Sequence, residues 1–388
     1  MWQLRYAPTI TCKRDMRKKC GAISSILTTV GASLGFIVAI IYVMSAYGGV
    51  ADPMDSAILP LLGLGFPITL ALMLVLLAMW LCLRKWWIAA MTAAAILAGA
   101  GPLLTFSPLN VGVPTPATGE RTFKVLTYNV MNFTDYSGIQ HEPNRTIQYI
   151  LDVDADCVCL QEAAQEREFG TSSAVKGMLP LIEAKYPYIY RKKGDVVLFS
   201  KYPFTETADT VVIDKYVRAR GWRLDVGGMP ITVLSCHLES IRLTETDKDL
   251  YRKLTKFKNM STVDDLEEVR ETLVSKLSRA FRSRSLQARE IRGILDNTCG
   301  NVILCGDFND TPGSFAYRTI MGDDMRDAYA DCALGPTITY HSNRFFFRID
   351  HILYRGNLTA VDIERGKIDS SDHYPLIATF RLDTRKQE

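Results

Sequence analysis

Apolar residues are spread very unevenly along the chain, and the unevenness divides it in two. From Gly21 to Ala51 there is no charged residue, and a second uncharged run spans Ser56 to Leu83. Arg84 and Lys85 interrupt, and a third apolar run extends from Trp86 to about Phe106. A membrane-spanning helix needs ~20 consecutive apolar residues, so each run is long enough to be one. The pattern predicts three helices, at about 22–47, 57–83 and 86–106, and a membrane anchor over residues 1–106. A signal peptide has an apolar core of only ~7–15 residues and would not be followed by two more such runs. Residues 107–120, SPLNVGVPTPATGE, are rich in Pro, Gly and Thr and read as a linker.

Beyond residue 120 the pattern changes to short apolar runs that end in polar residues. Strands are expected at Phe123–Met131, Asp156–Leu160, near Ile189, and at Asp195–Ser200, Thr210–Ile213, Ala219–Val226 and Ile231–Cys236. More follow at Asn301–Cys305, Thr337–Tyr340, Phe346–Leu353, Ala360–Ile363 and Leu376–Arg381. Helices are expected near Arg145–Leu151, over Ala174–Lys185 and after Pro312. Residues 240–297 are charged, with helical spacing and few breakers, and read as one or two long helices, an insertion. Closely spaced strands with helices between them predict an α+β layered sandwich over residues 121–388, two sheets face to face with helices outside.

Charge sets the orientation. Lys13, Arg14, Arg17, Lys18 and Lys19 precede the first run, and Arg84–Lys85 separates the second from the third. Both basic segments belong in the cytoplasm, and the Asp52–Asp55 turn, which has no Lys or Arg, belongs outside. The expected topology is a multi-pass inner-membrane protein whose larger part lies on the extracytoplasmic face. Residues 1–118 hold eight Lys/Arg against three Asp/Glu, and the rest hold 37 against 39. A near-neutral domain argues against clinging to long nucleic acid by charge alone. None of the nine cysteines forms a metal-type CxxC pair. Cys157, Cys159, Cys236 and Cys305 sit in apolar runs as small hydrophobes, leaving Cys299 and Cys332 as candidates for a disulfide.

The chemistry gathers where the strands end. The stretch Asn301–Asp310, NVILCGDFND, runs from an apolar strand into Asp307 and Asn309. These are two residues apart and would point the same way along an extended backbone, or they form an ordinary Asx turn. Other apolar strands end in Asn129, Glu162, His237 and Asp350, and in Asp372 with His373. This set supplies oxygen ligands for a hard cation such as Mg²⁺, with imidazoles for proton transfer and phosphate contact.

Six segments carry a family resemblance: Thr127-Tyr128-Asn129-Val130, Leu160-Gln161-Glu162, Ser235-Cys236-His237-Leu238, Gly306-Asp307-Phe308-Asn309, Arg348-Ile349-Asp350 and Ser371-Asp372-His373-Tyr374-Pro375. In this order they resemble the endonuclease/exonuclease/phosphatase superfamily, the DNase I-like fold, over residues 121–382. The resemblance implies a four-layered α/β/β/α sandwich, here preceded by three transmembrane helices, in a membrane-anchored bacterial member. It implies Glu162 as the principal ligand of Mg²⁺ or Mn²⁺, helped by Asn129, with Asp372 supporting the metal or the neighbouring His. Asp307 and Asn309 would position and activate the attacking water, while His237 and His373, the latter oriented by Asp350, would contact the scissile phosphate. The implied partners are the membrane and a phosphoester substrate, whether lipid, sugar phosphate or nucleic acid, and no obligate protein partner is inferred. His237 stands where repair endonucleases of this superfamily carry a different turn, which argues against DNA lesion repair. The expected activity is a phosphodiesterase or phosphatase, with an extracellular nuclease as the alternative and a non-catalytic binding module further behind.

Overall fold

The computed structural model describes residues 9–112, 119–139, 141–165, 168–213, 216–241, 263–342 and 346–383. The chain divides into two compact units. One comprises residues up to Ala46 together with Leu64–Ala100, and the other comprises Tyr47–Gly63 together with everything from Gly101 on.

Residues 9–106 are helical apart from short turns; they form the first unit except for Tyr47–Gly63 and Gly101–Phe106, which belong to the second. Helix Thr9–Ala46 supplies most of Ile23–Val50, among the described residues the one continuous span long and apolar enough to cross a membrane. Ile26, Leu27, Val30, Leu34, Phe36 and Ile37 on it are all more than half exposed to the surroundings. The two other expected spans are not single helices. The second is Ile58–Leu64 followed by Phe66–Cys82, bent by 62°, and the third is Trp86–Ala98 followed by Ala100–Phe106, bent by 63°. Proline explains both breaks. Pro67 and Pro102 have no N–H to donate, and each ring collides with the carbonyl four residues earlier.

The second unit is an α+β sandwich of two six-stranded mixed sheets. The strands are β1 Thr122–Asn129, β2 Cys157–Ala164, β3 Tyr188–Tyr190, β4 Gly194–Ser200, β5 Phe204–Ile213, β6 Tyr216–Val226, β7 Met229–His237, β8 Asn301–Asp307, β9 Arg326–Asp327, β10 Asp350–Arg355, β11 Leu358–Arg365 and β12 Leu376–Leu382. One sheet has the order β11-β12-β1-β2-β4-β3, the other β5-β6-β7-β8-β10-β9. Alternation along each strand assigns its two faces. Phe123 and Val125 of β1 meet Ile303 and Cys305 of β8 between the sheets, with Trp222 and Phe380. Leu126 and Tyr128 face outward, under helices Arg145–Val153 and Leu179–Lys185. Val302 and Leu304 face out on the other side, under a long helix, Val263–Asn297, and helix Phe315–Met321. Burial on both faces is why these strands read as continuous apolar runs.

Several expectations change. The expected helix Ala174–Lys185 is two pieces, Ser173–Lys176 and Leu179–Lys185, interrupted by Gly177 and restarted with Pro180 in its first turn. The last strand before the C-terminal hairpin begins at Asp350 rather than Phe346, and Thr337–Tyr340 contributes only isolated bridges of Tyr340 to Phe347 and His373. There the hydroxyl of Thr339 takes the backbone N–H groups of Ile349 and Asp350, which replaces ladder pairing. Within the segment 240–297, residues 242–262 lie outside the described residues, and one helix follows from Val263. Cys299 and Cys332 are both free thiols. The first is exposed ahead of β8, and the second is packed on the core between the sheets.

The expected linker is held down where it is described. Gly335 N donates to Pro108 O at 2.7 Å, and the Asn110 amide reaches the carbonyls of Ala330 and Ala333, while just ahead of the linker Arg348 donates to the Thr105 carbonyl at 2.8 Å. Residues 113–118 of it lie outside the described residues.

Candidate active site

Two parallel strand pairs end at the same edge of the sandwich. β1 and β2 run parallel, with Asn129 opposite Gln161, and β7 and β8 run parallel, with His237 opposite Asp307. β10 is antiparallel to β8, so its first residue, Asp350, also lies opposite Asp307. His237, Asp307 and Asp350 therefore form one row across neighbouring strands, each step about 4.8 Å. The row depends on a glycine. Gly306 has φ +143°, and a Cβ there would lie 1.9 Å from the Cys236 carbonyl, so no larger residue lets β7 and β8 approach this closely. β12 is antiparallel to β1, which brings Asp372 and His373, just before it, to the same edge.

Glu162 arrives by an irregularity. The register of β2 with β4 slips between Gln161 and Ala164, and Glu162, inside the slip, has φ +53°. A bulge of this kind re-aims a side chain. Gln161 points between the sheets, where its amide donates to Ser235 Oγ at 3.0 Å, while Glu162 Oε1 accepts from Asn129 Nδ2 at 3.1 Å. The same Asn129 amide donates to Asp307 Oδ2 at 3.2 Å, so one group bridges carboxylates from both sheets.

Asp307 and Asn309 do not share an extended backbone. β8 ends at Asp307, Asn309 has φ +51°, and its N–H donates to Asp307 Oδ1 at 2.8 Å, an Asx turn. The turn folds the Asn309 amide back onto Asp307 Oδ2, 3.3 Å away, and onto the Leu238 carbonyl at 3.0 Å. The Asx turn, not the extended pairing, brings the two side chains together.

Each imidazole is backed by a carboxylate. His373 Nδ1 lies 2.9 Å from Asp350 Oδ2, and His237 Nδ1 is hydrogen-bonded to Asp195 Oδ2. Both rings present Nε2 to one atom, Asp307 Oδ2, each at 3.6 Å. Burial opposes charge on the two rings, but Asp195 and Asp307 around His237, and Asp350 and Asp307 around His373, outweigh it and hold both above the usual imidazole range. Burial pushes the Asp307 carboxyl up, His373 pulls it back, and Asp350 raises it again. Asp372 stands to one side, with its carboxylate turned to Ser371 Oγ at 3.4 Å, and acts on His373 by charge alone.

Asp195 was not among the expected site residues. It opens β4, whose antiparallel course places a strand beginning, rather than an end, at this edge. A carboxylate entering an apolar strand was the available signal. Gln165 fixes it further, its amide donating to Asp195 Oδ1 at 2.8 Å.

The donor set fits a divalent cation. Asp350 Oδ1 is buried and has no hydrogen-bond partner among the described residues. One ligand atom each from Asp307, Asp350 and His373 falls within 4.8 Å of the others, with Glu162 and Asn129 alongside. A dense group of carboxylate oxygens with one imidazole nitrogen and no thiolate suits a hard ion.

The family model for the endonuclease/exonuclease/phosphatase family matches residues 126–373. The chain belongs to this family. Its members hydrolyse phosphoester bonds and generally use divalent metal ions. A second model, for a domain of unknown function, matches residues 26–106. No curated protein matches the chain. Among solved structures, the endonuclease/exonuclease/phosphatase of Beutenbergia cavernae is 19% identical, covers 68% of this chain and 72% of its own, and has a TM-score of 0.45. Sphingomyelinase C from Streptomyces griseocarneus is 19% identical over 67% of this chain and 99% of its own, with a TM-score of 0.42. A family protein from Leptotrichia buccalis is 17% identical over 67% of this chain and 99% of its own, with a TM-score of 0.44.

Proposed function

We propose that this chain is a membrane-anchored, divalent-metal-dependent phosphoesterase that works on the extracytoplasmic side. The observation that carries the reading is the pair of carboxylate-backed imidazoles aimed at Asp307, beside the Glu162–Asn129–Asp307 bridge. Glu162 and Asn129 would hold Mg²⁺ or Mn²⁺, and the bound ion would neutralise phosphate charge. Asp307, shaped by Asn309, is placed to orient a water and take its proton. His237 and His373, kept charged by Asp195 and Asp350, are placed to grip the phosphoryl oxygens and to protonate the leaving oxygen. Phosphoryl transfer asks mainly for such positioning and charge stabilisation.

The test is a panel of phosphate mono- and diesters, among them phospholipids, sugar phosphates and nucleic acids, with the full chain in detergent and Mg²⁺ or Mn²⁺. Turnover of a lipid or sugar ester without DNA cleavage is the expected result. Cleavage of DNA or RNA that falls steeply with salt would replace the reading with a nuclease.

The division into anchor 1–106, linker 107–120 and catalytic part 121–388 belongs to the same reading. Three crossings, two of them bent, would place the turn after the first crossing and the chain after the third on one side of the membrane. Tyr47–Gly63 and Gly101 onward do fall in one compact unit, which supports this arrangement. The basic residues before the first crossing and at Arg84–Lys85 put that side outside. Alkaline phosphatase fused after Glu388 should be active and green fluorescent protein at the same point dark, and the reverse pattern would reject the orientation.

A further inference from the structure

The turn that follows the first apolar helix packs against the loop that carries Asp307 and Asn309. Gly49, buried, sits so close to that loop's far end that a Cβ on it would meet the Gly313 carbonyl at 1.9 Å and Ser314 C at 2.6 Å. Two arginines of the long helix Val263–Asn297, one above the other at a spacing of seven residues, clasp the same turn. Arg282 Nε donates to the Pro53 carbonyl at 3.2 Å, and Arg289 pairs with Asp52 while its guanidinium lies 5.0 Å from the Phe315 ring.

The buried side of that helix holds the two loops leaving the candidate site. Arg284, 1% exposed, donates to Asp310 Oδ2 at 3.1 Å and to the Glu239 carbonyl at 2.9 Å. Gln287 accepts the Glu239 N–H at 2.8 Å. Glu239 lies two residues past His237, and Asp310 lies next to Asn309. His351, wedged between the Phe308 and Tyr317 rings, binds the Asp310 carbonyl at 3.0 Å.

We propose that the turn Tyr47–Asp55 is a positioning element of the catalytic centre, seated on the Asp307–Ser314 loop through Gly49 and clasped by Arg282 and Arg289 of the helix that holds the exits of β7 and β8. The proposal rests on the catalytic reading of the site. It makes turnover depend on how the turn sits, so that a displacement of the turn reaches Asn309 through Gly313 and reaches His237 and Asn309 through the helix. A shift of ~1 Å in a positioning contact can cost as much as 10²-fold in rate. The Asp52–Arg289 pair is itself a poor contributor to stability, because both side chains are partly exposed at 27% and 40%. Its loss should therefore register in kcat and not in folding.

The test uses the full chain in detergent and a soluble phosphoester, with kcat, KM and thermal unfolding followed together. Asp52→Arg should lower kcat on the order of 10-fold with KM and the unfolding midpoint unchanged, and adding Arg289→Asp should restore it. Gly49→Val should lower kcat at least as far. An unchanged kcat in both single variants, or a charge swap that fails to restore a loss, would overturn the proposal. His373→Ala serves as the reference. Turnover that survives it would overturn the reading of the site and the coupling with it, whereas turnover lost in His373→Ala but kept in the turn variants overturns the coupling alone.

Discussion

Replacing His373 with alanine is expected to lower kcat by about 10²–10⁴-fold, the contribution typical of a positioned acid–base group. The residue is 4% exposed, its ring lies 5.0 Å from the Tyr340 ring, and its Nδ1 is committed to Asp350 at 2.9 Å. That commitment orients the ring and, in the proposed reading, leaves the Nε2–H for the substrate. Asp350→Asn keeps the shape but removes the charge that holds the ring protonated, so it should lose part of the same factor. The double variant should be little worse than His373→Ala, because groups that act as a unit are not additive. A double-mutant cycle on kcat checks this, and losses that multiply would separate the two residues.

Chelation should be the other large effect. Excess EDTA is expected to abolish turnover, and added Mg²⁺ or Mn²⁺ to restore it. Glu162→Ala should cost on the order of 10²–10³-fold at saturating Mg²⁺, the several kcal/mol that a Lewis acid contributes. Glu162 is about a quarter exposed and lies in a bulge, so its removal opens no core cavity and the unfolding midpoint should hold. Full turnover in excess EDTA would remove the metal from the mechanism.

The sandwich was legible because most of its strands are buried on both faces and end abruptly. The runs leading to Asn129, His237 and Asp307 each stop where the sheet edge meets the site. What could not be read depends on backbone departures from period two. Glu162 reaches the site through a left-handed residue in a register slip, and at Asn309 the sequence left the Asx turn that forms undecided against an extended pairing. Neither changes the apolar pattern. Asp195 escaped because it begins a strand running the opposite way, and its partner His237 is 42 residues distant. In residues 1–106, uncharged length alone implied three continuous helices, and Pro67 and Pro102 carried the correction. The docking of Tyr47–Asp55 had no signal in its composition, since Gly49 matters only for what lies opposite it.

The placement of β12 has a consequence for how the protein is made. This strand, completed only at Leu382, lies between β11 and β1 and pairs with β1 along Thr122–Thr127. The first sheet therefore leaves an edge of β1 unpaired until β12 has been synthesised. Asn129 and Asp307, in contact across 178 residues, close a loop of the kind that makes assembly slow. His373 enters together with β12. A chain released or halted before residue 376 would present an open strand edge, a template for aggregation. Activity would then appear all at once with the final strand, and a C-terminal truncation of a dozen residues would be as inactive as one of a hundred.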